Sequence, residues 1–322
     1  MKNIIIRTDA SVVIGSGHVM RCLTIAHNLT REGCNVRFWM EPHAGNLINY
    51  VVRQGYETIS KAEQADLYII DHYEIDMVWE QNIRPYTNNL MVIDDLARAH
   101  DCDVLLDQNV VPNFKDRYDD LVPKHCIKLL GPKYLIMREE FIEARQQIEQ
   151  RNQNIQRLLV FMGGTDPTNE TTKILTALEK LSFTHVDVVV GNGNVHKEKI
   201  EQICHERNYH YHCQISYMAQ LMQQADFSIG AGGSSMWERC YVGLPSSSTI
   251  VADNQFITTN YANQLEAVIN LGWHEDVTVE TYKHLLNRLG DIDVGKIRKI
   301  GLQLTATPEP NAWLSQIMEL LA

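Results

Sequence analysis

The chain alternates short, β-branched apolar runs with helix-period segments, and it does so twice. NIIIRTD (residues 3–9) reads as a buried strand, and HVMRCLTIAHNLTREG follows with Met20, Leu23, Ile25, Ala26 and Leu29 on one helical face and Gly33 placed to end it. Further strand candidates are NVRFWM, ADLYIID, NLMVIDD and CDVLLD, separated by helical segments near AGNLINYVVRQG and WEQNIRPY. An Asn/Pro/Asp-rich loop follows at 108–123. After the polar stretch EARQQIEQRNQNIQR (143–157) a second start, RLLVFMGGTDPTN, repeats the strand, Gly-containing loop and helix. Then come VDVVV, the helices HKEKIEQICHER and YMAQLMQQA, DFSIGAGGSS, MWERCYVGL, LPSSSTIVA and a helix at NYANQLEAVINLG. Buried strands joined through helices require parallel sheets covered on both faces, so an α/β class is expected. The repetition is architectural; no sequence repeat accompanies it. Two domains are expected, at 1–150 and 151–322. The segment KIRKIGLQLTATPEPNAWLSQIMELLA ends the second as a broken helix pair interrupted by Pro308 and Pro310, with Trp313, Ile317 and Leu320 as a packing face.

With 322 residues, 44% apolar and 21% charged, the chain is long enough for two cores and too apolar for disorder. The formal charge of −11 is spread over both halves and argues against nucleic-acid or anionic-membrane partners. A local phosphate site remains compatible with it, since backbone N–H groups at a helix start hold anions. Seven widely spaced cysteines do not suggest a disulfide framework. His205, His210, His212 and Cys213 match no paired metal motif, so a structural role is favoured over zinc. MKNIIIRTDAS lacks a signal-peptide pattern and no run approaches a membrane span, so a cytoplasmic location is expected.

Three loops carry chemistry. IGSGHVMR places Gly15 and Gly17 in a tight turn and His18 at a helix start, where a neutral imidazole is favoured; the competing reading is a capping or packing histidine. FMGGTDPTNET offers Gly163 and Gly164 for close ligand approach, with Thr165, Asp166 or Asn169 as helix caps. IGAGGSSMWERC is the most informative. Gly232, Gly233, Ser234 and Ser235 form a concavity before a helix N-terminus suited to a diphosphate, and Glu238 is either a ribose acceptor or a cap. The full GxGxxG pattern is absent, and no GKS or GKT marks a Walker ATPase. Asp9, Asp71, Asp94, Asp95 and Asp253 fall at strand ends; Tyr73 follows one of them, and Asn254 and Gln255 another.

Together, RTDASVVIGSGHVMRCLTIA, VIDDLARAHDCDVLLDQN, LLGPKYLIMREEF, VFMGGTDPTN, GAGGSSMWERCYVGLP and ADNQ resemble the UDP-2,4-diacetamido-2,4,6-trideoxy-β-L-altropyranose hydrolases of pseudaminic acid biosynthesis. They run in order from residue 7 to 255. The resemblance implies two Rossmann-like domains facing across a cleft in the GT-B arrangement. The N-terminal domain would supply sugar binding and catalysis and the C-terminal domain would bind UDP. It implies His18 as catalytic base; Gly232, Gly233, Ser234, Ser235 and Glu238 as UDP contacts; and Tyr73, Asn254 and Gln255 as sugar contacts. Gly15, Gly17, Gly163 and Gly164 complete the expected substrate-binding set. The implied reaction is cofactor-free and metal-independent: water attacks the anomeric carbon of a UDP-linked diacetamido-trideoxy sugar and releases UDP. A GT-B UDP-sugar glycosyltransferase and a non-catalytic UDP-sugar-binding protein are the alternatives. Two departures stand out: SSSTI is more polar than the strand expected there, and PEPN replaces a glycine-containing turn.

Overall fold

Ile4 and Ile6 face one side of a sheet and Ile5 the other, and all three are fully buried, as a central parallel strand requires. The computed structural model describes residues 1–148, 154–307 and 309–322 and divides into two compact units, 1–137 with 307–322 and 138–306. The expected boundary at 150/151 and the proline at 308 lie outside the described residues.

In the first unit, β1 (Asn3–Thr8), β2 (Asn35–Trp39), β3 (Glu57–Ile59), β4 (Ala65–Asp71), β5 (Thr87–Ile93), β6 (Val104–Asp107) and β7 (Ile127–Leu130) form a seven-stranded sheet. Every pairing is parallel and the order is β3-β2-β1-β4-β5-β6-β7. The second unit contains β8 (Arg157–Phe161), β9 (His185–Val190), β10 (His210–Cys213), β11 (Phe227–Ala231), β12 (Ser246–Ile250) and β13 (Ile269–Trp273). These are also all parallel, in the order β10-β9-β8-β11-β12-β13. Counted from its own first strand, each sheet therefore shares the order 3-2-1-4-5-6, which the first extends by a seventh strand; this is the doubly wound order whose direction reverses beside strand 1. The duplicated architecture seen along the sequence is this topology formed twice.

Four short strands do not show in the apolar pattern: β3, β7, β10 and β13. The helix expected through NYANQLEAVINLG stops at Gln264, where Glu266 takes a positive φ of 59° and Ala267 N donates back to the Ala262 carbonyl. Residues Ile269–Trp273 then pair with β12. The polar run Ser246–Ile250 does form a strand, and it is wholly buried. Ser248 Oγ and Thr249 Oγ1 find partners in Arg239 and the Tyr282 hydroxyl (2.9 and 2.8 Å), which lets these positions stay polar in a core.

The tail is a correction to the expected domain assignment. Trp313, Ile317 and Leu321 on the helix Trp313–Leu321 join the core of the first unit with Ile4, Ile6 and Leu23. Asn311 pins the approach: its amide donates to the Met137 carbonyl (3.0 Å), and its Oδ1 accepts from Met137 N (2.9 Å) and Trp313 Nε1 (3.1 Å). Asn311 has a φ of 55°, so it takes the left-handed conformation that the expected glycine would have supplied. Truncating the fully buried Trp313 to Ala should destabilise the first unit by about 3–5 kcal/mol. Urea unfolding followed by circular dichroism checks this; a change below about 1 kcal/mol would place the helix outside the core.

Candidate functional site

The register Thr8↔Asp71 brings the carboxyl end of β1 beside that of β4, at the reversal point of the first sheet. The loop leaving β1 turns at Gly15, whose φ is 79°, and enters the helix Gly17–Arg31. On the first turn of that helix His18 is 8% exposed, and its Nδ1 lies 2.6 Å from Asp71 Oδ1. Arg21, one turn on, donates from Nε to Asp71 Oδ2 (2.8 Å) and from Nη2 to Oδ1 (2.6 Å). Cys22 Sγ approaches Oδ2 at 3.6 Å.

This arrangement decides which nitrogen of His18 carries the proton. A carboxylate only accepts, so the 2.6 Å contact requires hydrogen on Nδ1, and in the neutral ring Nε2 is then the nitrogen with the lone pair. Arg21 Nη2, 3.5 Å from the same Nδ1, is then a neighbouring donor without a bond to it. Burial by itself would raise the carboxyl of fully buried Asp71; the Arg21 charge and the hydrogen bonds from Arg21 and His18 outweigh burial and hold it well below the usual carboxylate range. The orientation of His18 thus comes from a carboxylate across the sheet, an arrangement that the helix start alone does not supply.

Tyr73 lies against His18, ring edge to ring face, with centroids 4.5 Å apart, and its hydroxyl donates to Asp95 Oδ2 (3.1 Å). Burial pushes the Asp95 carboxyl up against the opposing pull of Arg21 and the Tyr73 hydroxyl, while its buried Oδ1 has no hydrogen bond among the described residues. The other strand-end carboxylates of this unit serve its framework. Asp9 is held by Arg7, His72, His43 and Glu41 N. Asp94 is held by Arg98, His100 and Tyr118.

In the second unit the expected ligand residues gather on neighbouring strand ends. Gly163 and Gly164 follow β8, Gly232–Ser235 follow β11, and Asn254 and Gln255 lie in the turn Asp253–Gln255 after β12. A Cβ on Gly232 would strike Thr259 Oγ1, so glycine is required there for packing as well as for access. The Gln255 amide lies against Gly233, and its Oε1 accepts from Val251 N (3.1 Å). Ser234 opens the helix Ser234–Tyr241 and is exposed, whereas Ser235 is buried. Glu238 Oε1 takes a hydrogen bond from Arg138 Nη2 (3.2 Å) and does not cap that helix. Of the caps expected after β8, Asp166 does the work, accepting from Glu170 N and Thr171 N at 2.9 Å each.

Arg21, Arg138, Arg239 and Thr259 escaped the sequence reading. Their only signal was adjacency to a motif, as Arg21 closes GSGHVMR and Arg239 follows Glu238. Among the described residues no group of three or more His, Cys, Asp or Glu side chains is arranged to hold a metal ion. His210 stacks on His185 (3.9 Å between centroids), and His212 Nε2 pairs with Asp187 Oδ1 (2.9 Å), which accounts for two histidines of the HYHC segment. Among the described residues no helix is long and apolar enough to cross a membrane.

No family model matches the chain. Among curated proteins it is 31% identical, over 205 residues, to the UDP-2,4-diacetamido-2,4,6-trideoxy-β-L-altropyranose hydrolase of Campylobacter jejuni, covering 60% of this chain and 72% of that protein. The chain belongs to that hydrolase's family. It is also 27% identical over 263 residues to an uncharacterized protein of Methanocaldococcus jannaschii, covering 75% of this chain but 54% of that one, so it spans about half the length of this relative. The fold matches MurG of Acinetobacter baumannii with a TM-score of 0.65 at 14% identity, over 100% of this chain and 99% of that one. It matches a glycosyltransferase of Rickettsia africae with a TM-score of 0.57 at 10% identity, over 99% and 97%. The chain thus has a GT-B-type fold, with two Rossmann-like parallel-sheet domains.

The low Asp71 pKa has a thermodynamic consequence. An unfolded aspartate titrates at about 3.9, above the folded Asp71, so below that pH protons favour the unfolded chain. The stabilisation from Asp71 is complete above about pH 5 and is lost as pH falls through 4 and below. Asp71→Asn should therefore lower stability at pH 7 and flatten the acid limb. Urea midpoints between pH 3 and 7 test this; parallel wild-type and variant curves would contradict the assignment.

Proposed function

We propose that the chain is an enzyme acting on a UDP-linked sugar, with His18 as the general base that activates the nucleophile at the anomeric carbon. The observation carrying this reading is the 2.6 Å contact between His18 Nδ1 and a buried Asp71 kept anionic by Arg21. Nε2 is then the nitrogen able to take a proton. As it does so, the imidazolium formed is stabilised by the carboxylate behind it. Tyr73, packed against His18, is proposed to contact the sugar together with Asn254 and Gln255. Gly15 and Gly17 keep side chains away from the base, and Gly163 and Gly164 let the backbone approach the substrate. Gly232, Gly233, Ser234 and Ser235 are proposed to hold the diphosphate through backbone N–H groups and hydroxyls, with Glu238 accepting from ribose hydroxyls. These donors stabilise the departing UDP oxyanion by hydrogen bonding.

In the main reading the nucleophile is water. His18 Nε2 takes its proton, the new C1–O bond forms as the bond from C1 to the diphosphate oxygen breaks, and UDP leaves with the electron pair. The sequence relationship to a named hydrolase supports water as acceptor, and the particular diacetamido-trideoxy sugar is proposed from the same relationship. A second reading replaces water by the hydroxyl of an acceptor, and the fold comparisons favour it: the two-domain fold is shared with solved glycosyltransferases. The same base serves both acceptors, so the geometry around His18 does not separate them. Acceptor dependence does. Purified protein with the UDP-sugar, no acceptor and excess chelator should release UDP and free sugar stoichiometrically. Turnover that begins only when an acceptor alcohol is added would replace the hydrolase reading with the transferase.

His18→Gln should lower kcat by about 10²–10⁴-fold while UDP affinity changes little. Steady-state UDP release together with calorimetric UDP titration checks this, and a variant as fast as wild type would remove His18 from the chemistry.

A further inference from the structure

Arg239 lies on the second turn of the helix Ser234–Tyr241 and is fully buried. Its side chain runs back beneath the glycine loop. Nη2 donates to the Ala231 carbonyl and to Ser248 Oγ, both at 2.9 Å, and Nη1 reaches Ser235 Oγ at 3.4 Å. Each of these partners is neutral. Among the described residues Nε is buried with no hydrogen-bond partner, and Glu238, the nearest carboxylate in sequence, is engaged by Arg138. The loop is shaped around this guanidinium, since a Cβ on Gly230 would collide with Arg239 Nη1. A fully buried cation without a carboxylate is costly, and burial pushes its pKa down to about 10. Packing alone is served more cheaply by an uncharged side chain of similar volume, so the positive charge calls for an anion.

We propose that Arg239 is a positioning residue of the diphosphate site: it fixes the loop floor through the Ala231 carbonyl and holds beneath Gly232–Ser235 a positive charge that a bound diphosphate neutralises. It acts through the loop and does not touch the ligand. This rests on the UDP-sugar reading above. Its signature is selectivity for the phosphates, because a buried charge strengthens binding of an anion far more than that of a neutral nucleoside.

The test is calorimetric titration of UDP and of uridine into wild type, Arg239→Met, Arg239→Lys and Ser248→Ala, each first checked for folding. UDP affinity should fall by roughly tenfold or more in Arg239→Met while uridine affinity changes by less than about twofold. Arg239→Lys should recover part of the UDP affinity because it restores the charge without the fork of donors. Ser248→Ala, which removes one hydroxyl from behind the guanidinium, should weaken UDP several-fold and leave uridine unchanged; it carries the test alone if Arg239→Met does not fold. Equal loss of UDP and uridine would make Arg239 a packing residue and overturn the inference. Unaltered UDP affinity in Arg239→Met, or in Ser248→Ala when it stands alone, would overturn it as well. Wild-type protein that does not bind UDP would overturn the UDP-sugar reading itself, and this inference with it.

Discussion

A single buried carboxylate organises the first unit. Asp71 has no solvent exposure, and an isolated charge there would cost several kcal/mol. Arg21 and His18 offset that cost from one face of one helix, three residues apart, so the helix Gly17–Arg31 is fixed in rotation and height over the sheet. Gly15, with its positive φ, lets the chain turn from β1 into that helix. The parallel register of β1 and β4 sets the meeting point. The contacts that orient His18 are therefore also contacts that hold the unit together.

The second unit uses close approach where the first uses charge pairing. Gly230 at the end of β11 makes room for Arg239 and Gly232 for Thr259, so this turn is packed from beneath while Gly233 and Ser234 reach the surface. The buried Ser246–Thr249 strand belongs to the same construction, because Ser248 supplies one of the few acceptors available to Arg239. A polar strand that breaks the apolar pattern thus has a local cause: the guanidinium beside it needs oxygen atoms. Ser246 and Ser247 keep buried hydroxyls with no partner among the described residues, for which the structure offers no such account.

Most strands were legible along the sequence because central parallel strands are buried on both faces and read as unbroken apolar runs. The four that were missed, β3, β7, β10 and β13, are the four edges of the two sheets. Edge strands pair on one side and carry partly exposed residues, so ETI, IKLL, HYHC and INLGW lack the pattern. HYHC shows what the missed strand contains: the structural role favoured for its histidines takes a definite form only once pairing with β9 sets His210 on His185 and His212 on Asp187. The candidate site was legible where glycine and histidine mark a turn. It was not legible where a partner is distant in sequence, as Asp71 lies 53 residues from His18.

The sequence by itself determined the α/β class, the doubled organisation and the loops able to approach a ligand. These follow from local periodicity and from the steric freedom of glycine, which need no partner. Tertiary structure decided which ring nitrogen of His18 faces the Asp71 carboxylate, the burial of Arg239, and the return of the last helix to the first core. Each of these depends on atoms brought together across a sheet or from opposite ends of the chain. Hydrogen-bond direction and desolvation are properties of that assembled environment.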